Sequence, residues 1–182
     1  MRSGTTVAEF SVKDGRKVVL RTPRWEDLDE LLGLINSLVE EKAEIVISDK
    51  LTREEEADWL ADLLVRLEKD QAFFLVAEVN GRVVASSDLH GGRGPEVRAG
   101  NVGIVVKDGF RGVGIGTRMM QTIVKFARKR GLRVLVLSVF ATNERAIHVY
   151  EKVGFVKCGR VPGKHLHKGK YVDEVIMTAS LK

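Results

Sequence analysis

A single cysteine, Cys158, leaves no internal disulfide and no multi-cysteine metal site to be built. A reducing compartment is the simple reading, with Val156 and Val161 nearby suggesting an inert strand position. No apolar stretch approaches the roughly 18 residues of a membrane span, and no apolar segment follows Met1-Arg2-Ser3-Gly4-Thr5 as a secretory signal would require. The expectation is a soluble, cytoplasmic protein with no membrane partner. Glutamine occurs only at Gln71 and Gln121 against 30% charged residues, a bias found in thermophiles and equally produced by chance. Neither sign of charge dominates: Lys and Arg number 30 against 25 Asp and Glu. The resulting +5 favours anionic partners without choosing among a nucleotide cofactor, a nucleic acid and an acidic peptide.

What is present suffices for one core. A chain of 182 residues that is 44% hydrophobic sits near the usual size of one domain, expected to span residues 1–182. Val7 to Val12 and Val18 to Thr22 flank Asp14-Gly15 and read as a hairpin. After Pro23 the period changes: Leu28, Leu31, Leu32, Ile35, Leu38 and Val39 recur at helical spacing. Thr52 and Glu55 form a capping box for a second helix burying Leu60, Leu63, Leu64 and Leu67.

Phe73 to Val79 and Arg82 to Asp88 flank Asn80-Gly81, the strongest hairpin signal in the chain. Gly91 to Gly100 reads as a loop, and Asn101 to Lys107, apolar on both faces, as a central covered strand. A third helix from about Gly114 to Arg130 turns Ile115, Met119, Ile123, Phe126 and Ala127 inward and ends at Gly131. Val134 to Val139 is a second covered strand. A fourth helix, capped by Thr142 or Asn143, carries Ala146, Val149, Tyr150 and Val153 on one face and closes at Gly154. Val156 to Val161 and Tyr171 to Leu181 are strands joined by a basic loop. The order ββααββ-βαβα-ββ predicts a mixed sheet with helices on both faces.

The chemistry starts at Arg111-Gly112-Val113-Gly114-Ile115-Gly116-Thr117, a glycine-rich turn between a strand and a helix. Free N–H groups at a helix start, with the dipole behind them, bind an anion such as phosphate. A nucleoside-triphosphatase loop would end in Gly-Lys-Ser/Thr, and no lysine stands here. A dinucleotide-binding turn requires an acidic residue about 20 positions on, yet no Asp or Glu occurs between Gly116 and Glu144. On the turn alone, an ordinary tight strand-to-helix connection stays open.

The downstream segment adds to this. Arg111-Gly-Val-Gly114-Ile-Gly116 resembles the Arg/Gln-x-x-Gly-x-Gly/Ala acetyl-CoA motif of the GNAT superfamily of N-acetyltransferases. Asn143-Glu-Arg-Ala146-Ile-His-Val-Tyr150-Glu-Lys152-Val-Gly154-Phe155 is similar to that family's Asn-x-x-Ala-x-x-x-Tyr-x-x-x-Gly-Phe segment. The likeness covers Phe73 to Leu181 well and the two leading helices in outline. It implies an α/β (α+β) GNAT fold: a mixed, mostly antiparallel sheet of about seven strands, four helices, and a splay between two central parallel strands.

What else the resemblance implies is specific. Acetyl-CoA would be the cosubstrate, with no metal. Ile104, Val105 and Val106 would bind pantetheine through their backbone, Arg111 to Thr117 the pyrophosphate, Asn143 the CoA, and Lys152 or parts of the basic third helix the 3′-phosphate. Amine attacks the thioester directly in a ternary complex, and Tyr150 is the general acid for the departing thiolate. A core tyrosine is the alternative for Tyr150, and a helix cap for Asn143. Both glutamates that serve relatives as base are missing, since Gly100-Asn101 and Leu137-Ser138-Val139 stand in their places. Asp88, His90 and Glu96 are the remaining candidates, His148 less so.

The basic stretch Lys164-His-Leu-His-Lys168-Gly-Lys170 borders the acceptor site in relatives, which favours an amine that also bears a carboxylate or lies in an acidic peptide over a cationic polyamine. The expected acceptor is therefore an amino-acid-like small molecule or a protein N-terminus. His165 and His167 alone make a weak metal pair, with a solvated loop the preferred reading. Two other classes remain: a non-catalytic acyl-CoA sensor, and a nucleic-acid module, disfavoured because only the inward Phe126 interrupts the basic helix. A homodimer is an open expectation.

Overall fold

The computed structural model describes residues 1–91 and 98–181. Strands β1 (Thr6–Ser11) and β2 (Lys17–Arg21) form the expected hairpin. A short 3-10 turn, Trp25–Asp27, leads into α1 (Leu28–Glu40), and α2 (Arg53–Glu68) follows. The second helix starts at its predicted box: the Thr52 side chain accepts from the Glu55 N–H, and the Glu55 carboxylate accepts from the Thr52 N–H at 2.8 Å. Thr52→Ala is therefore expected to cost about 1 kcal/mol in denaturant unfolding, the usual worth of an N-cap.

Strands β3 (Phe73–Val79) and β4 (Arg82–Gly91) are joined through Asn80 and Gly81, at φ 50° and 77°, the left-handed pair that a two-residue turn requires. The rest is β5 (Ala99–Val106), α3 (Ile115–Lys129), β6 (Val134–Phe140), α4 (Glu144–Lys152), β7 (Val156–His167) and β8 (Lys170–Ser180). They make one eight-stranded sheet in the order β1-β2-β3-β4-β5-β6-β8-β7. Its strand number matches the residue pattern rather than the count of about seven.

Two cores sandwich the sheet. Leu75, Met119, Ile123, Leu135, Tyr150 and Phe155 belong to one, under α3 and α4, while Leu31, Leu38, Leu60, Leu67, Phe74 and Val76 form the other, under α1 and α2. Successive residues of β3 thus feed opposite cores, which is why that strand is apolar from Phe73 to Ala77, before Glu78 pairs with Arg21. No helix among the described residues is long and apolar enough to cross a membrane.

Among the described residues the only parallel neighbours in the sheet order are β5 and β6, and they pair over just Ala99↔Val134, Gly100↔Leu135 and Asn101↔Val136. Beyond Asn101 the two strands part, while β5 keeps its β4 partner up to Val106↔Ala85. The backbone edge of Val102 to Val106 that would face β6 is therefore left without a strand partner, and a groove opens there. This corrects the expectation of a covered strand: Gly103 to Val106 are half-buried. The expected Gly91–Gly100 loop is narrowed by β4 reaching Gly91 and β5 starting at Ala99, its middle lying outside the described residues.

The basic loop between the last strands is also corrected. β7 runs on to His167 and turns back at Lys168 and Gly169, whose φ angles are 50° and 75°. Pro162 and Gly163, which read as loop residues, fall in an irregularity of register between Val161 and His165 on an edge strand, a place where a residue without an N–H is tolerated. Cys158 lies in β7 as expected, but exposed.

Candidate active site

The splay creates a groove of about 1450 Å³ lined by residues of both halves of the chain. Its floor on one side is β5, with Ile104, Val105 and Val106 all lining it. Arg111 closes the strand end: its Nε–H donates to the Val106 carbonyl at 2.8 Å, and its guanidinium pairs with Glu41. Gly112 and Gly114 take φ of 78° and 111°, so the turn can form only with residues that lack a Cβ penalty. Gly114 caps α3, and the first turn of that helix contains no acidic side chain to occupy its free N–H groups. At Gly116 a Cβ would meet Ile104, Val106 and Val149 at 3.7–3.9 Å, ordinary contact, so alanine would also fit there.

Val113, Thr117, Asn143 and Lys152 also line the groove. Asn143 is a helix cap, its Oδ1 accepting from the Ala146 N–H at 3.1 Å. Of the basic residues on α3 and at its C-terminal cap, Arg118 reaches the groove, whereas the cap residue Arg130 is committed to Asp70.

Tyr150 lines the groove from α4 and is buried, at 7% exposure. Burial, with the negative charge of Asp88 adding to it, pushes its hydroxyl up to about 12. The core reading of Tyr150 and the groove reading thus coincide in one residue. Asp88 sits directly across from Gly103, and a Cβ on Gly103 would lie 2.6 Å from its Oδ1. The missing side chain at 103 is the space the carboxylate fills. His90 pairs with Asn101 in the same register, so Asn101, where relatives carry glutamate, shares the face with Asp88.

The His90 Nε2 lies 2.7 Å from Asp88 Oδ2, and this carboxylate hydrogen bond raises the imidazole above its ordinary value despite partial burial. The raised folded value means the pair's stabilisation is complete below the free-histidine value and is lost as pH rises through the folded one. Asp88→Asn is expected to move the His90 titration to lower pH, followed by its imidazole proton shifts in NMR. His148 is exposed at the groove rim. Glu96 lies outside the described residues.

The structure corrects the reading of the last hairpin. His165 is half-buried, stacks on Phe140 with ring centroids 4.1 Å apart, and reaches Glu174 Oε1 at 3.3 Å. His167 packs edge-on against the same ring. Glu174, buried on β8, also holds Lys164 Nζ at 2.6 Å; burial pushes its carboxyl up, but Lys164 and His165 outweigh this and leave it below the usual value. One positive charge expected at the acceptor side, that of Lys164, is thereby neutralised, while Lys168 and Lys170 stay exposed.

Sequence reasoning missed Glu56, Trp59 and Phe74, which line the α2 side of the groove. Glu56 had a signal: it precedes Leu60, Leu63 and Leu67 at helical spacing and so falls on the buried face. Glu174 had none, since it breaks the alternation of β8.

Comparison with known proteins fits this geometry. The family model described as the acetyltransferase (GNAT) family matches residues 25–155. The chain belongs to the GNAT family of acetyltransferases.

Among GNAT relatives, the Bacillus subtilis strain 168 protein YwnH, named provisionally as a phosphinothricin acetyltransferase, is 25% identical over 166 residues, covering 90% of this chain and 99% of YwnH. The L-methionine sulfoximine/L-methionine sulfone acetyltransferase of Pseudomonas aeruginosa PAO1 is 30% identical over 78 residues, 43% of this chain and 45% of that protein. In three dimensions the chain resembles the GNAT-fold protein yncA of Salmonella typhimurium, provisionally named an acetyltransferase and solved with its cofactor acetyl-CoA. That match has a TM-score of 0.78 at 20% identity and covers 91% of this chain and 94% of the other, which establishes the fold.

Proposed function

We propose that this GNAT chain, acting as one domain over residues 1–182, transfers an acetyl group from acetyl-CoA to the primary amine of an amino-acid-like small molecule or a protein N-terminus. The observation that carries the reading is the unpaired edge of β5 running into a glycine turn at the free N-terminus of α3. An added strand would be held by Ile104 to Val106, and a pyrophosphate by the N–H groups of Arg111 to Thr117. Asn143 and Lys152 would contact the rest of the CoA. Acetyl-CoA, when bound, supplies an activated acyl carbon and a thiolate leaving group.

The chain's own residues do the proton work. Asp88 takes a proton from the incoming ammonium, giving the free amine that attacks the thioester carbon. A backbone N–H of the β5 edge donates to the carbonyl oxygen as charge builds on it. The Tyr150 hydroxyl donates its proton to the departing sulfur, and the proton the attached nitrogen sheds on forming the amide restores the phenol. An amino-acid acceptor is supported by the amino-acid substrates in the relatives' names. A homodimer belongs to the same proposal, with Val156, Val161, Leu166 and Tyr171 exposed along the last hairpin as its surface.

The test combines acetyl-CoA titration by calorimetry with thiol release against a panel of amino acids, N-terminal peptides and spermidine. Binding together with release on amino acids or peptides is expected. Binding without any release is what a sensor would give and sinks the transfer step; much faster release with spermidine sinks the acceptor class.

A further inference from the structure

Glu56 is the one buried carboxylate of the groove wall, among the described residues, that the proposed chemistry leaves unused and whose side chain has no partner. It is 5% exposed and lines the groove from α2; its backbone N–H donates to the Thr52 carbonyl, while its carboxylate has no hydrogen bond or ion pair among the described residues. Burial alone pushes its carboxyl above the usual range. The basic residues nearest it in sequence are paired elsewhere: Lys50 with Glu40 and Arg53 with Asp29. Glu41 and Glu174, by contrast, hold Arg111 and Lys164.

Its surroundings are apolar and aromatic. Leu31, Leu34 and Ile35 of α1 line the same wall. Trp59, one helical turn from Glu56, meets Phe74 edge-on with centroids 5.3 Å apart. Phe74 is the register partner of Asp88. One continuous path therefore runs from Gly103 and Asp88, across Phe74 and Trp59, to Glu56.

A buried carboxyl without a partner is costly to the fold, and such groups are retained where a ligand completes them. Aromatic faces beside a carboxylate suit a cation, which gains from both. Building on the proposed transfer reaction, we infer that Glu56 is a specificity-determining residue: it seats a second cationic group of the acceptor, so that the substrate class is a basic amino acid or a peptide N-terminus followed by a basic residue. The reacting amine lies at Asp88 and the second cation at the far end of the Phe74–Trp59 wall.

L-arginine and L-citrulline test this because they differ in charge at nearly constant shape. Equilibrium binding to the acetyl-CoA-free protein and to its CoA complex is measured by calorimetry for wild type, Glu56→Gln and Glu56→Asp, with melting temperatures alongside. Wild type is expected to bind arginine about tenfold or more tightly than citrulline, as a charge-assisted contact would give. Glu56→Gln should bring the ratio to about one without lowering the melting temperature, and Glu56→Asp should restore part of it.

Equal affinities in wild type, no binding of either compound, or an equal loss of both in Glu56→Gln overturns the inference. So does a Glu56→Gln melting temperature well below wild type, which would mark a structural carboxyl. Discrimination in binding without acetylation of arginine would refute the transfer reading alone, leaving the recognition site standing.

Discussion

Asp88→Asn is expected to lower kcat by about 100-fold or more, the range that general base catalysis contributes, with little change in the KM for acetyl-CoA. Asparagine keeps the shape that fills the space over Gly103, where a Cβ would otherwise approach Oδ1 to 2.6 Å. It removes the charge that can accept a proton from the acceptor ammonium. The substitution also removes the negative charge that His90 faces, so the change to the fold is confined to that half-buried pair. Steady-state thiol release with saturating acetyl-CoA measures the effect. If Asp88→Asn retains more than half of the wild-type kcat, the base is elsewhere, and Glu96→Gln is the next comparison.

Tyr150→Phe is expected to cost a similar factor in kcat, again about 100-fold or more. The ring would keep its packing against Phe155, 6.1 Å away between centroids, so unfolding free energy should change by less than about 1 kcal/mol. Because burial and the Asp88 charge push the hydroxyl up to about 12, it holds its proton across the working pH range. The rate should therefore show no alkaline loss attributable to Tyr150 below about pH 10, the value of a free phenol. A fall in kcat of less than threefold for Tyr150→Phe would return this residue to the core alone. In Asp88→Asn the tyrosine should titrate lower, because one of the two causes of its shift is gone; tyrosinate absorbance follows this.

The two halves of the groove differed in how far they could be read in advance. Hairpins at Asp14-Gly15 and Asn80-Gly81, the box at Thr52 and the cap at Asn143 were legible because a turn or cap is decided by a few consecutive residues. The last hairpin was misread because Pro162-Gly163 signals a loop locally, while cross-strand pairs such as His165↔Val172 and the Lys164–Glu174 bond carry the strand past it. By sequence His165 reads as a solvated loop residue, since nothing nearby announces Phe140, the ring on which it stacks.

By itself the sequence determined the cofactor half: strand, glycine turn and helix N-terminus are contiguous from β5 to α3, so backbone angles and periodicity within one segment specify them. The tertiary structure decided the acceptor half. Asp88 opposite Gly103, Phe74 beside Asp88, Trp59 over Phe74 and Glu56 one turn away come from β3, β4, β5 and α2. Their meeting depends on sheet register and on the parting of β5 from β6 after Asn101, which are set by packing between distant segments and leave no local pattern to read.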